Sequence, residues 1–180
     1  TPLVVNGVLY TPAGSRRAVV ALDAGTGEML WMHREDEGKR GEEAPRRLSG
    51  RGLSYWTDGR NPRVLYVTPG YRLIALNAKT GAMIPSFGKD GVVDLKVGVV
   101  KGNGQQIDLE SGEIGLHSTP TVVKDTILIG SSMKEGMTIE THNNTKGLAR
   151  AFDVKTGKLQ WTFNTIPRPG EFGNDTWKDG

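Results

Sequence analysis

Few residues in this chain have the type and spacing that site chemistry requires. The sequence contains no cysteine, which excludes thiolate chemistry and disulfides. His33 and His142 have no second histidine or carboxylate at metal-ligand spacing, so we expect structural or exposed roles for both. The G-N-G stretch at 102–104 follows no predicted strand and precedes no predicted helix, which indicates a turn rather than a phosphate-binding loop. Any site must therefore be built from residues that the fold brings together.

The composition is that of a soluble β protein. Among 180 residues there are 25 glycines and 9 prolines without a collagen period, which favours short strands joined by tight turns. The 23 basic and 20 acidic residues alternate along the chain, so we do not expect a nucleic-acid partner. The opening T-P-L-V-V has no initiator methionine, basic start or long apolar run. We therefore expect neither a signal peptide nor a membrane helix, and interpret the chain as part of a larger protein.

An internal repeat dominates the sequence. A-L-D-A-G-T-G-E-M-L-W at 21–31 recurs as A-F-D-V-K-T-G-K-L-Q-W at 151–161, and a third copy, A-L-N-A-K-T-G-A-M, occupies 75–83. The Asp or Asn side chain can accept turn N–H groups and the glycine can adopt positive φ, so each copy predicts a β-hairpin. The third copy has Pro85 where the others have tryptophan.

The segments around the repeats predict a β-propeller. Short β-branched stretches lie upstream of each hairpin, including 8–11, 18–22, 64–67, 71–76 and 126–130. Together they predict about three four-stranded antiparallel blades, with Trp31 and Trp161 packed between neighbouring blades. Long insertions are predicted at 35–47, 88–115 and 133–146, the second with a side hairpin around 92–100. Because propellers close with about 4 to 8 blades, we interpret 1–180 as a partial all-β propeller domain, incomplete at both ends.

The repeat resembles the tryptophan-docking motif of the pyrroloquinoline quinone (PQQ) dehydrogenases, an eight-bladed family. Three further stretches are similar to segments of those enzymes: R-G-L-S-Y-W at 51–56, T-P-T-V-V-K-D-T-I-L-I-G-S-S at 119–132, and W-T-F-N-T-I-P-R-P-G-E at 161–171. Non-catalytic propeller scaffolds of bacterial outer-membrane assembly share a version of the repeat. The repeat by itself therefore leaves an enzyme and a scaffold open.

The resemblance implies cofactor contacts at five positions. Arg51 corresponds to an arginine that reaches PQQ, and its planar fork suits carboxylate or quinone oxygens, the alternative being a structural arginine that bonds loop carbonyls. Ser132 corresponds to a serine that binds a PQQ carboxylate, with Ser131 before it, and either could instead cap a turn. His117, at the position of a family threonine, and Ser118 could donate hydrogen bonds, the alternative being satisfied loop residues.

The resemblance also implies calcium at Glu135. A family glutamate at this position ligates the ion, although M-K precedes it here instead of G-A and the following loop is longer. Calcium requires several oxygen ligands, so one carboxylate cannot hold it, and a solvated loop carboxylate is the alternative. The remaining ligands and the catalytic base are expected beyond residue 180.

By resemblance, the whole protein oxidises an alcohol or sugar hydroxyl by hydride transfer to PQQ and passes electrons to a quinone or cytochrome in the periplasm. Family alcohol enzymes have two adjacent cysteines before the R-G segment, whereas 43–47 reads E-A-P-R-R, which favours the glucose or sugar-oxidising type. The alternative is a non-catalytic scaffold that binds proteins. Arg51 with the Ser131–Ser132 pair discriminates them, because a scaffold has no need of a buried cation facing the channel.

Overall fold

The computed structural model describes residues 2–14, 17–45, 48, 52–110, 113–116, 118–133 and 143–177, and in them we find three four-stranded antiparallel sheets. The first blade consists of β1 (Leu3–Val5), β2 (Val8–Ala13), β3 (Ala18–Asp23) and β4 (Met29–His33). The second consists of β5 (Ser54–Trp56), β6 (Arg63–Val67), β7 (Arg72–Asn77) and β8 (Val92–Asp94).

The third blade is interrupted along the chain by one strand, β12 (Ser132–Met133), which belongs to a separate strand pair. The blade consists of β10 (Thr121–Val123), β11 (Thr126–Ile129), β13 (Leu148–Asp153) and β14 (Leu159–Asn164). Outside the blades, β9 (Ile114–Gly115) pairs with β12 (Ser132–Met133), α1 spans Gly38–Glu42, and a 3₁₀ turn spans Asn174–Thr176. The predicted all-β architecture of about three four-stranded antiparallel blades is confirmed.

The repeated motif forms the predicted hairpin turn in each blade. Asp23 Oδ1 accepts hydrogen bonds from the N–H groups of Gly25 and Thr26 at 2.9 and 2.8 Å, and from the Thr26 hydroxyl at 3.1 Å. The Thr26 N–H and then the Gly25 N–H hold the pKa of Asp23 below its usual range. Gly27 has φ +78°, which an L side chain rarely adopts. The motif therefore encodes its turn through local hydrogen bonds.

Trp31 joins the first blade to the second, as predicted. Its indole N–H donates to the carbonyl of Ala78 at 3.0 Å, within the equivalent turn of the next blade. A Cβ at Gly81 would lie 2.5 Å from the Trp31 ring. The ring therefore packs directly on the glycine backbone, and only glycine leaves room for it.

At the turn of its repeat motif, the second blade packs on the third without the tryptophan that the motif has in the other two blades. The backbone N–H of Gly88 donates to the carbonyl of Thr156 at 2.9 Å, and a Cβ at Gly157 would lie 3.3 Å from the Phe87 ring and 2.7 Å from Val93. Phe87 and Val93 therefore occupy the place that Trp31 fills at the preceding contact.

The chain after the third repeat copy corrects one sequence prediction. The stretch around 92–100 was expected to form a side hairpin, but Val92–Asp94 is β8 and completes the second blade by pairing with Arg72–Ile74. After a bridge between Met83 and Leu76, Pro85 has no N–H to continue the ladder, and the chain turns before rejoining the sheet. The prediction was wrong because the fourth strand was sought directly after the turn.

The core lies between the blades rather than within any one of them. One cluster of buried side chains lies between the first and second blades and a second between the second and third. The first contains Tyr10, Val19, Val64, Tyr66 and Ile74, and the second contains Leu65, Leu73, Phe87, Ile127 and Phe152. On β14, Trp161 remains 47% exposed and Phe163 61% exposed. Among the residues that the structure describes, no further blade covers this face.

Candidate functional site

The three longest connections between strands share one face of the blades. In a four-stranded meander, the first and third turns lie at one end of the strands, and the second turn and the connection to the next blade lie at the other. At the first end short turns contact one another, as where Ala24 N–H donates to the carbonyl of Gly7 at 2.8 Å. We call this end the turn face. Connections 34–53, 95–120 and 130–147 leave from the opposite end, which we call the long-loop face.

All six residues predicted to contact a cofactor or metal belong to these three connections. They are Arg51 in the first, His117 and Ser118 in the second, and Ser131, Ser132 and Glu135 in the third. Arg51, His117 and Glu135 lie outside the described residues. Ser118, Ser131 and Ser132, the three that are described, thus lie on connections that share one face, while the role of each predicted residue stays a prediction.

The β9–β12 pair brings the second and third connections together. Ser132 pairs with Gly115, and Met133 pairs with Ile114. Ser132 is half-buried and Ser118 is exposed. The Ser131 hydroxyl donates to the carbonyl of Leu148 and accepts from its N–H, both at 3.0 Å. Because a hydroxyl has only one hydrogen to donate, Ser132 and Ser118 are better placed than Ser131 to donate to a ligand.

Gly52 and Ser54 of the R-G-L-S-Y-W segment lie against the T-P segment that precedes β10 of the third blade. A Cβ on Gly52 would lie 1.6 Å from Thr119 Oγ1, so this position accepts only glycine. The Ser54 hydroxyl donates to the carbonyl of Pro120, and Leu53 is buried. The two segments that carry the strongest motif resemblance are therefore in direct contact.

Arg17 links the first two blades on this face, a role that its sequence context does not signal. It is 2% exposed, and its guanidinium donates to the carbonyls of Val67 and Thr68 at 3.2 and 3.3 Å and to that of Leu116 at 3.5 Å. These partners lie far along the chain, and a basic loop residue is usually solvated. The guanidinium therefore joins two backbone segments on the long-loop face, the end of β6 and the connection that contains Leu116.

Glu37 and Arg40 attach the first connection to the second blade, and we call this pair the α1 anchor. Glu37 has a side chain only 4% exposed and accepts hydrogen bonds from the Thr68 hydroxyl and Gly70 N–H, each at 2.7 Å. It also pairs with Arg72 at 3.0 Å. A Cβ at Gly70 would lie 2.6 Å from the Glu37 carboxylate, so glycine makes room for it.

Arg40 is the second half of the α1 anchor. It is 1% exposed, and its Nε donates to the carbonyl of Gly70 at 2.7 Å. Its two terminal nitrogens donate to the two carboxylate oxygens of Asp94 at 2.9 and 2.5 Å. This bidentate geometry is among the strongest hydrogen-bonded ion pairs in proteins. The insertion predicted at 35–47 is present, but these two charged residues are buried rather than solvated.

A buried lysine adjoins the α1 anchor. Lys96 Nζ donates to the carbonyl of Leu109 at 3.0 Å, and burial, followed by the charge of Arg40, lowers the pKa of Lys96 to about 8. Burial raises the pKa of Asp94, but hydrogen bonds from Arg40 and the Lys96 N–H outweigh it and leave the pKa below its usual range. The long-loop face is therefore held by buried ionic contacts.

Within the described ranges, no three His, Cys, Asp or Glu side chains converge to hold a metal ion. Glu113, on this face, instead accepts from the Thr145 hydroxyl at 2.6 Å and lies 3.5 Å from Lys101 Nζ. His33 Nε2 lies 2.8 Å from Glu35 Oε1. The described residues form no helix that is long and apolar enough to span a membrane.

Comparison with known proteins gives one family and a consistent set of relatives. The family model described as "PQQ: Glucose/ethanol/alcohol dehydrogenase, beta-propeller domain" matches residues 1–180. The dehydrogenase subunit of the quinone alcohol dehydrogenase of Gluconobacter oxydans is 34% identical over 94% of this chain and 19% of that protein. The glycerol dehydrogenase large subunit of the same organism is 26% identical over 98% of this chain and 23% of that protein.

A solved structure agrees. The quinohemoprotein alcohol dehydrogenase ADHIIG of Pseudomonas putida HK5 superposes with a TM-score of 0.70 at 28% identity, covering 97% of this chain and 22% of that one. The chain thus spans about a fifth of the length of the relatives it matches.

Proposed function

We propose a dehydrogenase function from one premise: the chain belongs to the PQQ family of glucose/ethanol/alcohol dehydrogenase β-propellers. The full-length protein oxidises an alcohol, and this chain supplies part of the surface that holds PQQ. The observation that carries the proposal is the meeting of three connections on the long-loop face, where β12 pairs with β9 and Gly52 contacts Thr119. Binding residues are commonly found on loops that a rigid scaffold positions.

The donor chemistry of this face fits PQQ, a cofactor that presents carboxylates and quinone carbonyls. Ser118 and Ser132 place hydroxyl donors on the connections that β9 and β12 hold together. We assign Arg51 to a PQQ carboxylate or quinone oxygen, Ser132 and Ser118 to further oxygens, and weaker contributions to Ser131 and His117. PQQ, when bound, supplies the acceptor for the hydride that leaves the alcohol carbon.

The metal assignment rests on one residue. Glu135 is proposed as a calcium ligand, and the other oxygens that calcium requires come from outside the described residues. Calcium beside the cofactor would act as a Lewis acid. No described residue is assigned as the catalytic base.

The substrate is proposed from two observations that point to related classes. Relatives are an alcohol dehydrogenase and a glycerol dehydrogenase, which supports a simple alcohol or a polyol. The absence of cysteine, and thus of a cysteine pair before Gly52, favours a sugar hydroxyl instead. The name of one relative includes a quinone and that of another a haem, which supports a quinone or cytochrome acceptor and, by family, a periplasmic location.

Reconstitution of the full-length apoprotein tests this proposal. The apoprotein is incubated with PQQ and Ca²⁺, and reduction of an artificial dye is followed with ethanol, glycerol and glucose. We expect dye reduction that requires PQQ and that falls in Arg51→Ala. Dye reduction with glucose alone would select the sugar-oxidising type. A protein that binds no PQQ would overturn the proposal and favour a scaffold that binds other proteins.

A further inference from the structure

We propose that Glu37 and Arg40 are positioning residues for cofactor binding, because they fix the connection between β4 and β5 to the second blade on the long-loop face. This inference rests on the proposed function, in which Arg51 of the same connection contacts PQQ. Neither residue lies in a motif that carries the family resemblance, and the role follows from their contacts.

The side chains of the α1 anchor are buried, and their hydrogen bonds fix their orientation. Arg40 is 1% exposed and makes three hydrogen bonds, two of them to the carboxylate of Asp94. Glu37 accepts three hydrogen bonds, from Thr68, Gly70 and Arg72. A surface ion pair contributes little order, but a buried fork with fixed partners specifies one arrangement of the connection. Two buried charged residues therefore hold this connection in one position on the second blade.

The connection between β4 and β5 is held at both ends. Beyond the α1 anchor, a Cβ on Gly115 would lie 3.2 Å from the carbonyl of Pro45. At the far end, Gly52 lies against Thr119 and the Ser54 hydroxyl bonds the carbonyl of Pro120. The α1 anchor thus fixes the connection to the second blade, while Gly52 and Ser54 fix it to the segment before β10. Arg51 immediately precedes the second fixed point in the sequence.

Small displacements of the contacting residues weaken a binding or catalytic site strongly. A misplacement of about 1 Å caused far from the reacting groups can lower the reaction rate roughly 100-fold. In metal sites, loss of the hydrogen bonds that orient the ligands costs about 10- to 100-fold in affinity or activity, and we take this as the scale for a positioned cofactor contact. The chain contains no cysteine, so no disulfide within it fixes this connection. Release of the α1 anchor should therefore weaken PQQ binding through Arg51.

The test is a double-mutant cycle on the PQQ dissociation constant. PQQ is titrated into the full-length apoprotein with Ca²⁺, and binding is followed by quenching of tryptophan fluorescence. Arg40→Lys keeps the charge but loses the bidentate fork, and we expect it to raise the dissociation constant about 10- to 100-fold. In the Arg51→Ala background the same substitution should change the constant less than about 3-fold, because the positioned group is gone.

A matched control separates positioning from general destabilisation. Arg63 is also buried and donates to the carbonyls of Val154 and Lys155 at 2.9 and 2.8 Å, but on the turn face. Arg63→Lys should lower the urea midpoint while leaving the PQQ dissociation constant within about 2-fold. Glu37→Gln is a second variant of the α1 anchor, since an amide NH₂ cannot accept the hydrogen bond from the Gly70 N–H. It should raise the PQQ dissociation constant as Arg40→Lys does.

The outcomes distinguish the two proposals. If neither the wild-type protein nor any variant binds PQQ, the proposed function of this face fails. It also fails if Arg51→Ala has the same PQQ dissociation constant as the wild-type protein. If Arg51→Ala weakens binding but Arg40→Lys and Glu37→Gln do not, the positioning role alone is overturned. An effect of Arg40→Lys that is undiminished in the Arg51→Ala background, or matched by Arg63→Lys, would also overturn it.

Discussion

The contact between Trp31 and Gly81 predicts a specific energetic coupling between the first two blades. At Gly81, φ is +74° and a Cβ would lie 2.5 Å from the Trp31 ring. In Gly81→Ala the left-handed backbone costs about 1–2 kcal/mol, and the steric overlap adds about 1–3 kcal/mol. We therefore expect Gly81→Ala to lower the free energy of unfolding by about 2–5 kcal/mol.

Removal of the ring should remove the steric part alone. In a Trp31→Ala background, Gly81→Ala retains only the backbone cost of about 1–2 kcal/mol, which leaves a coupling energy of about 1–3 kcal/mol. The four free energies of unfolding are measured by urea titration of the full-length protein. The reasoning is refuted if Gly81→Ala costs the same in both backgrounds, within about 0.5 kcal/mol.

Gly7 provides the control for backbone strain. Its φ is +78°, and no atom of the described residues lies within 4 Å of a Cβ built there. Gly7→Ala should therefore cost about 1–2 kcal/mol, equally with and without Trp31. A Gly7→Ala cost that depends on Trp31 would show that the cycle reports something other than the ring contact.

Three further predictions concern Tyr66, Lys96 and the contact between Gly52 and Thr119. The Tyr66 hydroxyl is buried and has no hydrogen-bond partner among the described residues, so Tyr66→Phe should raise the free energy of unfolding by about 1 kcal/mol, and a loss of that size would contradict this. Because the pKa of Lys96 is about 8 in the folded protein and higher when unfolded, the unfolded state binds more protons between these values, and stability should rise from pH 8 to about 10.5. Urea titrations across this range should show a smaller rise in Lys96→Met, whereas parallel profiles would exclude the linkage. Gly52→Ala should lower the thermal midpoint and weaken PQQ binding, and Thr119→Gly should restore both in part; failure of that restoration would argue against the contact.

The blades could be predicted because their signals are local. Asp23 and Gly25 are two residues apart, so the sequence motif alone predicts the hydrogen bond that joins them. The same holds for Trp31, whose place in the repeat predicts its packing on the neighbouring blade. The fourth strand of the second blade was missed because Pro85 interrupts the pattern and the packing role passes to Phe87.

The ionic contacts of the long-loop face could not be predicted from sequence. Arg40 and Asp94 are 54 residues apart, and Arg40 lies in a stretch whose composition resembles a solvated loop. Burial of such a pair depends on how the β4–β5 connection packs on the second blade, which no local pattern encodes. For the candidate site, a sequence motif predicts Ser131 and Ser132, and this prediction stays untested. The motif could not distinguish the Ser131 hydroxyl, which bonds Leu148, from that of Ser132.

A structure of the full-length protein with PQQ tests the central claim most directly. We predict that PQQ binds on the long-loop face, next to the segments that β9 and β12 join and within hydrogen-bond distance of Arg51 and Ser132. Cofactor bound on the turn face, or on the long-loop face of other blades without contact to this chain, would contradict the account.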